Sequence, residues 1–327
     1  LILKVMKKYI LIISLPVIFI VGVAVGIFFG SKSADLCENK FIYINPVLGC
    51  GFRQVIDKSN PIALKEKLRT FIESEKTDGK VDAVSVYFRD LQAGPTLGIN
   101  ENELYISASL LKLPIALTFF KLAEEDTPDI LQRRLHFEGG IKSGLEQVFK
   151  PSQTIKQESS YSVEELIFNS LVYSDNTSNE VLKTALKSVG KDTDLVLQTY
   201  RELGLITPTS IKESDISTRS YASIFRLLYN ASYISADHSE KVLSMLVQSQ
   251  FDQGLAAGVP KDIKVANKFG ERFIGDQKQL HDCGIIYFPQ NPYLLCVMTR
   301  GKDFKALADI IMQISEMVYK EVESRKI

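Results

Sequence analysis

The chain has 327 residues, 45% of them hydrophobic and 24% charged, proportions that exclude a disordered chain, a collagen and a bare coiled coil. Thirty-nine basic residues balance 39 acidic ones, so no net field argues for nucleic acid as a partner. Three histidines and four cysteines, with no C-x-x-C or H-x-x-x-H spacing, give no basis for a zinc site, and neither a metal nor a cofactor is expected.

Residues 1–8 are basic, with Lys4, Lys7 and Lys8 ahead of an apolar run. That run, Tyr9 to Gly30, holds 22 residues and no charge. At about 1.5 Å per residue it is long enough for a hydrocarbon core of about 30 Å. The positive-inside rule keeps residues 1–8 in the cytoplasm and sends the remainder outward. The expectation is a single-pass signal-anchor over 9–30, with the competing reading of a signal peptide cleaved near Ser31–Ala34 and a secreted product. Either way the rest of the chain lies outside the cytoplasm, where disulfides persist. Residues 31–60 read as a linker, with Cys37 and Cys50 as a disulfide across a short loop.

From residue 61 the pattern becomes that of a folded domain running to 327. IALKEKLRTFIESEK after Pro61 is amphipathic at helical period. Val81 to Asp90 and Thr96 to Asn100 predict two strands about a Gly-Pro turn. Ser107 to Glu125 predicts a helix. Ser162 with Glu165 forms a capping box ahead of LIFNSLVY. Further helices are expected over Val181–Val189, Asp192–Leu203, Tyr221–Tyr229 and Glu240–Gln248. Three strands, Ile263–Phe269, Cys283–Phe288 and Tyr293–Thr299, precede a closing helix, Phe304–Ser324. Cys283 and Cys296 lie on neighbouring strands, either facing each other or as two buried thiols. The order predicts an α+β fold: a five-stranded antiparallel sheet with the terminal helices on one face and an all-helical lobe on the other.

Three short motifs carry chemistry. In Ser109-Leu110-Leu111-Lys112 a hydroxyl and an amine stand at i and i+3 on one helix face. The helix is otherwise apolar, so Lys112 is expected to lie against a core, with its pKa lowered and its neutral amine able to accept the hydroxyl proton. Ser174-Asp175-Asn176 precedes a new helix and, taken alone, reads equally well as a cap cluster. Lys268-Phe269-Gly270 closes a strand and, taken alone, says nearly nothing. His136, His238 and His281 are expected at the surface or behind the site, and Glu124-Glu125-Asp126 as a solvated helix end.

In this order, and within the segments YISASLLKLPIAL, YSVEELIFNSLVYSDNTSNEVL and HDCGIIYFP, the motifs resemble the class A β-lactamase family and its penicillin-binding serine transpeptidase relatives. The resemblance implies a serine hydrolase. Ser109 would be the nucleophile of an acyl-enzyme, Lys112 its base, and Ser174 a proton relay to the leaving nitrogen. Asn176 would bind a substrate amide and hold Lys112 in place, Lys268 would attract a substrate carboxylate and support the relay, and Gly270 would let substrate approach the strand edge. The backbone N–H groups of Ser109 and Glu271 would form the oxyanion hole. Asp175 would be structural. The implied substrate is a β-lactam or a peptidoglycan stem peptide ending in D-Ala-D-Ala, and the protein is expected to act as a monomer.

Two departures bear on that implication. Phe269 stands where the family carries a hydroxyl, with Arg272 or Lys268 left to compensate. The connection LGLITPTSIKESDISTRSYASIF is about a dozen residues shorter than the family's and has no E-x-x-L-N, leaving Glu213 as its only suitably placed acid. The implied deacylation is slow, as in a D,D-carboxypeptidase. A catalytically impaired binding domain is the other alternative.

Overall fold

A computed structural model describes residues 22–23, 41–48, 61–92, 94, 96–140, 147–188, 193–205 and 215–325. The chain divides into two units, residues 1–42 with 46–53, and residues 43–45 with 54–327. In the first unit Gly22 and Val23 are helical and Pro46–Leu48 forms a 3-10 turn. The run expected to cross the membrane, 9–30, lies outside the described residues apart from Gly22 and Val23, and so does the Cys37–Cys50 pair. Among the described residues no helix is long and apolar enough to cross a membrane.

The second unit carries the sheet. Helix α1 (Pro61–Thr77) leads into β1 (Ala83–Asp90) and β2 (Thr96–Ile99), and the chain returns to the sheet only with β7 (Val265–Ile274), β8 (Gln277–Ile286) and β9 (Tyr293–Gly301). Strand order is β2-β1-β9-β8-β7, antiparallel throughout, so β7 is an edge strand. In between come the short strands β3 (Tyr105–Ile106), β4 (Arg134–Phe137), β5 (Ser159–Ser162) and β6 (Asp215–Ile216). The same stretch holds the helices α2 (Lys112–Glu125), α3 (Val163–Val172), α4 (Asn176–Ser188), α5 (Thr193–Glu202), α6 (Thr218–Tyr229) and α7 (Ala236–Leu246). Helix α8 (Phe304–Ser324) closes the chain with the bounds its periodicity predicts.

The two faces of the sheet follow the pleat. Val84, Val86 and Phe88 of β1 join Leu64, Leu68 and Ile72 of α1 and Leu307, Ile311 and Ile314 of α8 in one buried cluster. On the other face Ser85 bonds Tyr105 and Tyr87 meets Arg219 of α6. The expected two-sided arrangement is therefore present.

Three expectations need adjustment. Strand β7 runs to Ile274 and β8 begins at Gln277, both well past the predicted ends. Polar residues such as Glu271, Lys278 and Gln279 hide the strand signal there. Gly275, with φ 56°, supplies the positive φ that a two-residue hairpin loop demands at its first position. Cys283 and Cys296 are directly paired across β8 and β9 and form a disulfide, so the buried-thiol reading is set aside. The helix expected from Ser107 starts at Lys112, after a 3-10 turn over Ala108–Leu111, while of the histidines expected at the surface or behind the site His136 is exposed, His281 is fully buried and His238 bonds Glu124 at 2.6 Å.

Candidate active site

The seam between the helical lobe and the edge strand gathers the three motifs. Helix α2 is apolar on nearly every side, with Leu113, Ile115, Leu117, Phe119 and Phe120 all buried, and this draws Lys112 in with it to 3% exposure. The Lys112 amine donates to the Ser174 carbonyl at 2.5 Å, the Ser174 hydroxyl at 3.1 Å and the Asn176 amide oxygen at 2.7 Å. Lys268 Nζ reaches the same Ser174 Oγ at 3.0 Å and its neighbour's carbonyl, Phe269 O, at 3.1 Å. The hydroxyl of Ser174 thus stands between two lysine amines.

The backbone of Ser174 makes this possible. Its φ is 54°, a left-handed conformation that costs a non-glycine residue about 1–2 kcal/mol. It brings both the carbonyl and the hydroxyl within reach of one amine. The next two residues anchor the turn. Asp175 accepts from the backbone N–H of Thr177 and Ser178 and from the Ser178 hydroxyl, the structural role expected of it. Asn176 opens α4 with its side chain on Lys112. The second motif is therefore a cap and a site component at once.

Burial decides the protonation of the amines. Desolvation holds the Lys112 pKa well below the ordinary lysine value, with the neighbouring Lys268 charge adding to the effect and Asp175 opposing it. Lys268 is lowered by burial to about 7, against the pull of Asp282 and Glu271. Asp282 is raised by burial to about 7, although Leu255 N–H and Asn267 Nδ2 donate to it. Burial therefore shifts both amines toward their neutral forms.

Ser109 sits half-buried on the 3-10 turn Ala108–Leu111, which runs directly into α2. The Lys112 N–H closes on the carbonyls of Ser109 and Leu110. Ser109 lies on the turn and Lys112 opens the helix, so the two do not share the single helix face the spacing predicts. Among the described residues the Ser109 hydroxyl makes no hydrogen bond, and the Lys112 amine is committed to Ser174 and Asn176. Ala108 just before it has φ 49°. Gly270 packs against this turn: a Cβ there would meet Leu110 Cγ at 3.0 Å and Ser107 O at 3.1 Å.

Phe269 is not a gap in the site. Its ring is 1% exposed, stacks on Phe251 at 4.2 Å and meets Phe149 at 6.0 Å. Lys268 Nζ lies 4.6 Å from the same ring. Arg272, offered by the sequence as a compensating cation, keeps its Nε buried with no hydrogen-bond partner among the described residues. Glu213 lies outside the described residues.

Two features were not visible in the sequence. Glu271 was expected to act through its backbone, but its carboxylate also accepts from Val148 N–H at 3.0 Å and Phe149 N–H at 3.1 Å. Burial raises its pKa against those bonds. Gln147, in the same segment, donates to the Ser174 carbonyl at 3.2 Å. No local pattern marks either contact, because the Glu271–Val148 partners are 123 residues apart.

A family model described as "Beta-lactamase enzyme family" matches residues 63–322. A PBP-A L158E mutant, solved as an acyl-enzyme complex with penicillin G, aligns with TM-score 0.65 and 22% identity over 80% of this chain and 97% of its own. The TLA-3 extended-spectrum β-lactamase gives TM-score 0.68 at 18% identity, covering 80% of this chain and 99% of its own. A class A β-lactamase from Mycobacterium abscessus gives 0.65 at 21%, with coverages of 80% and 99%. At such identities the likeness to these three is one of fold.

Proposed function

Because the chain belongs to the beta-lactamase enzyme family, with the fold of its serine hydrolases, we propose that it forms an acyl-enzyme at Ser109 with a β-lactam or a D-Ala-D-Ala cell-wall peptide and releases the acyl group slowly. The observation that carries the reading is the Ser174 hydroxyl held between two buried amines, Lys112 at 3.1 Å and Lys268 at 3.0 Å.

In the first step the Ser109 oxygen attacks the substrate carbonyl while its proton passes to the neutral Lys112 amine. The developing oxyanion meets the N–H groups of Ser109 and Glu271, an arrangement in which one donor is typically worth about 10²–10³ in rate. The carbonyl–nitrogen bond then breaks. The proton on Lys112 moves through the Ser174 hydroxyl to the departing nitrogen, and Lys268 electrostatically supports that transfer. Asn176 orients the substrate amide, and Gly270 leaves the strand edge open to it.

Slow release rests on the connection between α5 and α6. These helices end at Glu202 and begin at Thr218, which leaves little chain for a water-activating carboxylate of the kind E-x-x-L-N supplies. The short connection favours a D,D-carboxypeptidase over an efficient β-lactamase. Residues 9–30 tether the domain as a monomer to the outer face of the membrane in this reading, and the Cys283–Cys296 disulfide agrees with an oxidising compartment.

Intact-protein mass after incubation with penicillin tests the proposal. A stoichiometric adduct that persists, and is absent from Ser109→Ala, supports it. Unmodified protein with consumed drug contradicts slow release. Unmodified protein with intact drug removes the acyl-enzyme altogether.

A further inference from the structure

We propose that Gln279 and His281 of β8 are positioning residues for the nucleophile turn, gripping both backbone polar groups of Ile106 and so fixing where the Ser109 hydroxyl and N–H point. The inference rests on the reading of Ser109 as nucleophile. Gln279 Oε1 accepts from the Ile106 N–H at 3.0 Å, and His281 Nε2 lies 3.0 Å from the Ile106 carbonyl. A carbonyl only accepts, so Nε2 carries the ring proton.

Burial makes this grip permanent across the working pH range. His281 is fully buried, and desolvation lowers its pKa to about 4 against the bond to Ile106, with Arg300 adding to the lowering. The ring is neutral at physiological pH, its buried Nδ1 has no hydrogen-bond partner among the described residues, and its one donor is spent on the backbone. It has neither the access nor the free proton of a general acid. Tyr105 meets the imidazole edge-on at 5.4 Å, hydrogen-bonds Ser85 at 3.1 Å and stacks under Arg300 at 4.9 Å. The imidazole therefore has little room to swing.

The turn has reason to need holding. Ala108 sits at φ 49°, a conformation that persists only when its surroundings over-determine it. The grips bracket that residue. Gln279 and His281 act on Ile106 before it, and the Tyr221 hydroxyl donates to Leu110 O at 2.9 Å after it. Gly270 closes the remaining side, since a Cβ there would press on Ser107 O and Leu110 N at 3.1 and 3.2 Å. Cutting one grip lets Ala108 relax toward an ordinary conformation, and Ser109 moves with it. A misplacement of about 1 Å costs on the order of 10²-fold in rate.

The test compares donor and acceptor chemistry at the two positions. His281→Phe keeps the ring and loses the donor, Gln279→Met keeps the length and loses the acceptor, and His281→Gln restores an N–H donor. Single-turnover acylation by penicillin is measured for each, with hydrogen exchange of the amides from Ile106 to Leu110. We expect about 10²-fold slower acylation in His281→Phe and Gln279→Met, with substrate affinity changed by less than about threefold. Exchange at those amides rises at least about tenfold, and His281→Gln recovers most of both effects. Unchanged exchange in both knock-out variants overturns the inference even if the protein is never acylated. Wild-type protein that takes no acyl group, with exchange rising as expected, sinks the Ser109 reading and leaves the grip intact. Equal losses in His281→Phe and His281→Gln overturn it as well, because ring packing would then be the cause.

Discussion

Two clusters share the strand β7 and differ in every property except burial. On one side Lys112, Ser174, Asn176 and Lys268 form a polar knot in which each amine finds oxygen partners. On the other Phe149, Phe251, Phe269 and Phe304 form an aromatic knot, with Phe251 and Phe269 stacked and Phe149 edge-on to three rings. They meet at adjacent residues, Lys268 and Phe269, 4.6 Å apart as ammonium and ring. The aromatic side supplies stability. It also dries the seam, and the dryness depresses the lysine pKa values on which the polar side depends. Chemistry and packing are therefore separable by mutation although they share one strand.

The sharpest separation comes from Lys112→Met. It removes the proposed base, so acylation falls by about 10²–10⁴-fold. The Ser174 carbonyl and the Asn176 amide oxygen lose their donor, so stability falls by about 1–3 kcal/mol, less than a lost core ring costs. Acylation kinetics beside a thermal melt checks both, and a large loss of stability breaks the distinction.

Phe269→Ala should do the reverse. Emptying a buried ring site costs about 3–5 kcal/mol, read by denaturant unfolding, with acylation of the folded fraction changed far less. Phe269→Thr sharpens this further. Its hydroxyl would enter the aromatic knot rather than an open carboxylate pocket, so it loses comparable stability.

Affinity for a carboxylate-bearing penicillin should depend on Lys268. The ammonium is present below its pKa of about 7 and lost above it, so apparent affinity falls as pH rises through 7. A penicillin methyl ester, which carries no carboxylate, should show no such trend. Binding curves for the two ligands from pH 6 to 8 decide the point.

The smallest effect serves as a control. Ser162 accepts from Glu165 N–H at 3.1 Å, and the Glu165 carboxylate accepts from Ser162 N–H at 2.6 Å. Ser162→Ala should cost about 1 kcal/mol by denaturant unfolding and leave acylation untouched.

Much of this was legible in the sequence because it is written locally. The apolar periods gave the closing helix its bounds, and the Ser162 box marked the start of α3. Lys112 could be placed against a core because its own helix is apolar on all sides. Taken alone, residues 174–176 read as a cap; the family resemblance adds that Asn176 holds Lys112, and the structure adds Lys268, which joins Ser174 from 94 residues away. The surroundings of Phe269 were hidden for the same reason. Sequence shows a missing hydroxyl, while only packing shows that the ring belongs to a cluster with Phe149 and Phe251. His281 could be placed no more finely than at the surface or behind the site, because its partner is a backbone carbonyl, a group every residue carries.

Burial lowers the Lys112 pKa and so prepares its amine to take a proton from a serine hydroxyl. Titration of the lysine Nζ signals by nitrogen-15 NMR, with Lys112 assigned by its loss in Lys112→Met, tests this directly. The account predicts a Lys112 midpoint far below the ordinary value of 10.5. A midpoint near that ordinary value would contradict it and remove the base from the proposed acyl transfer.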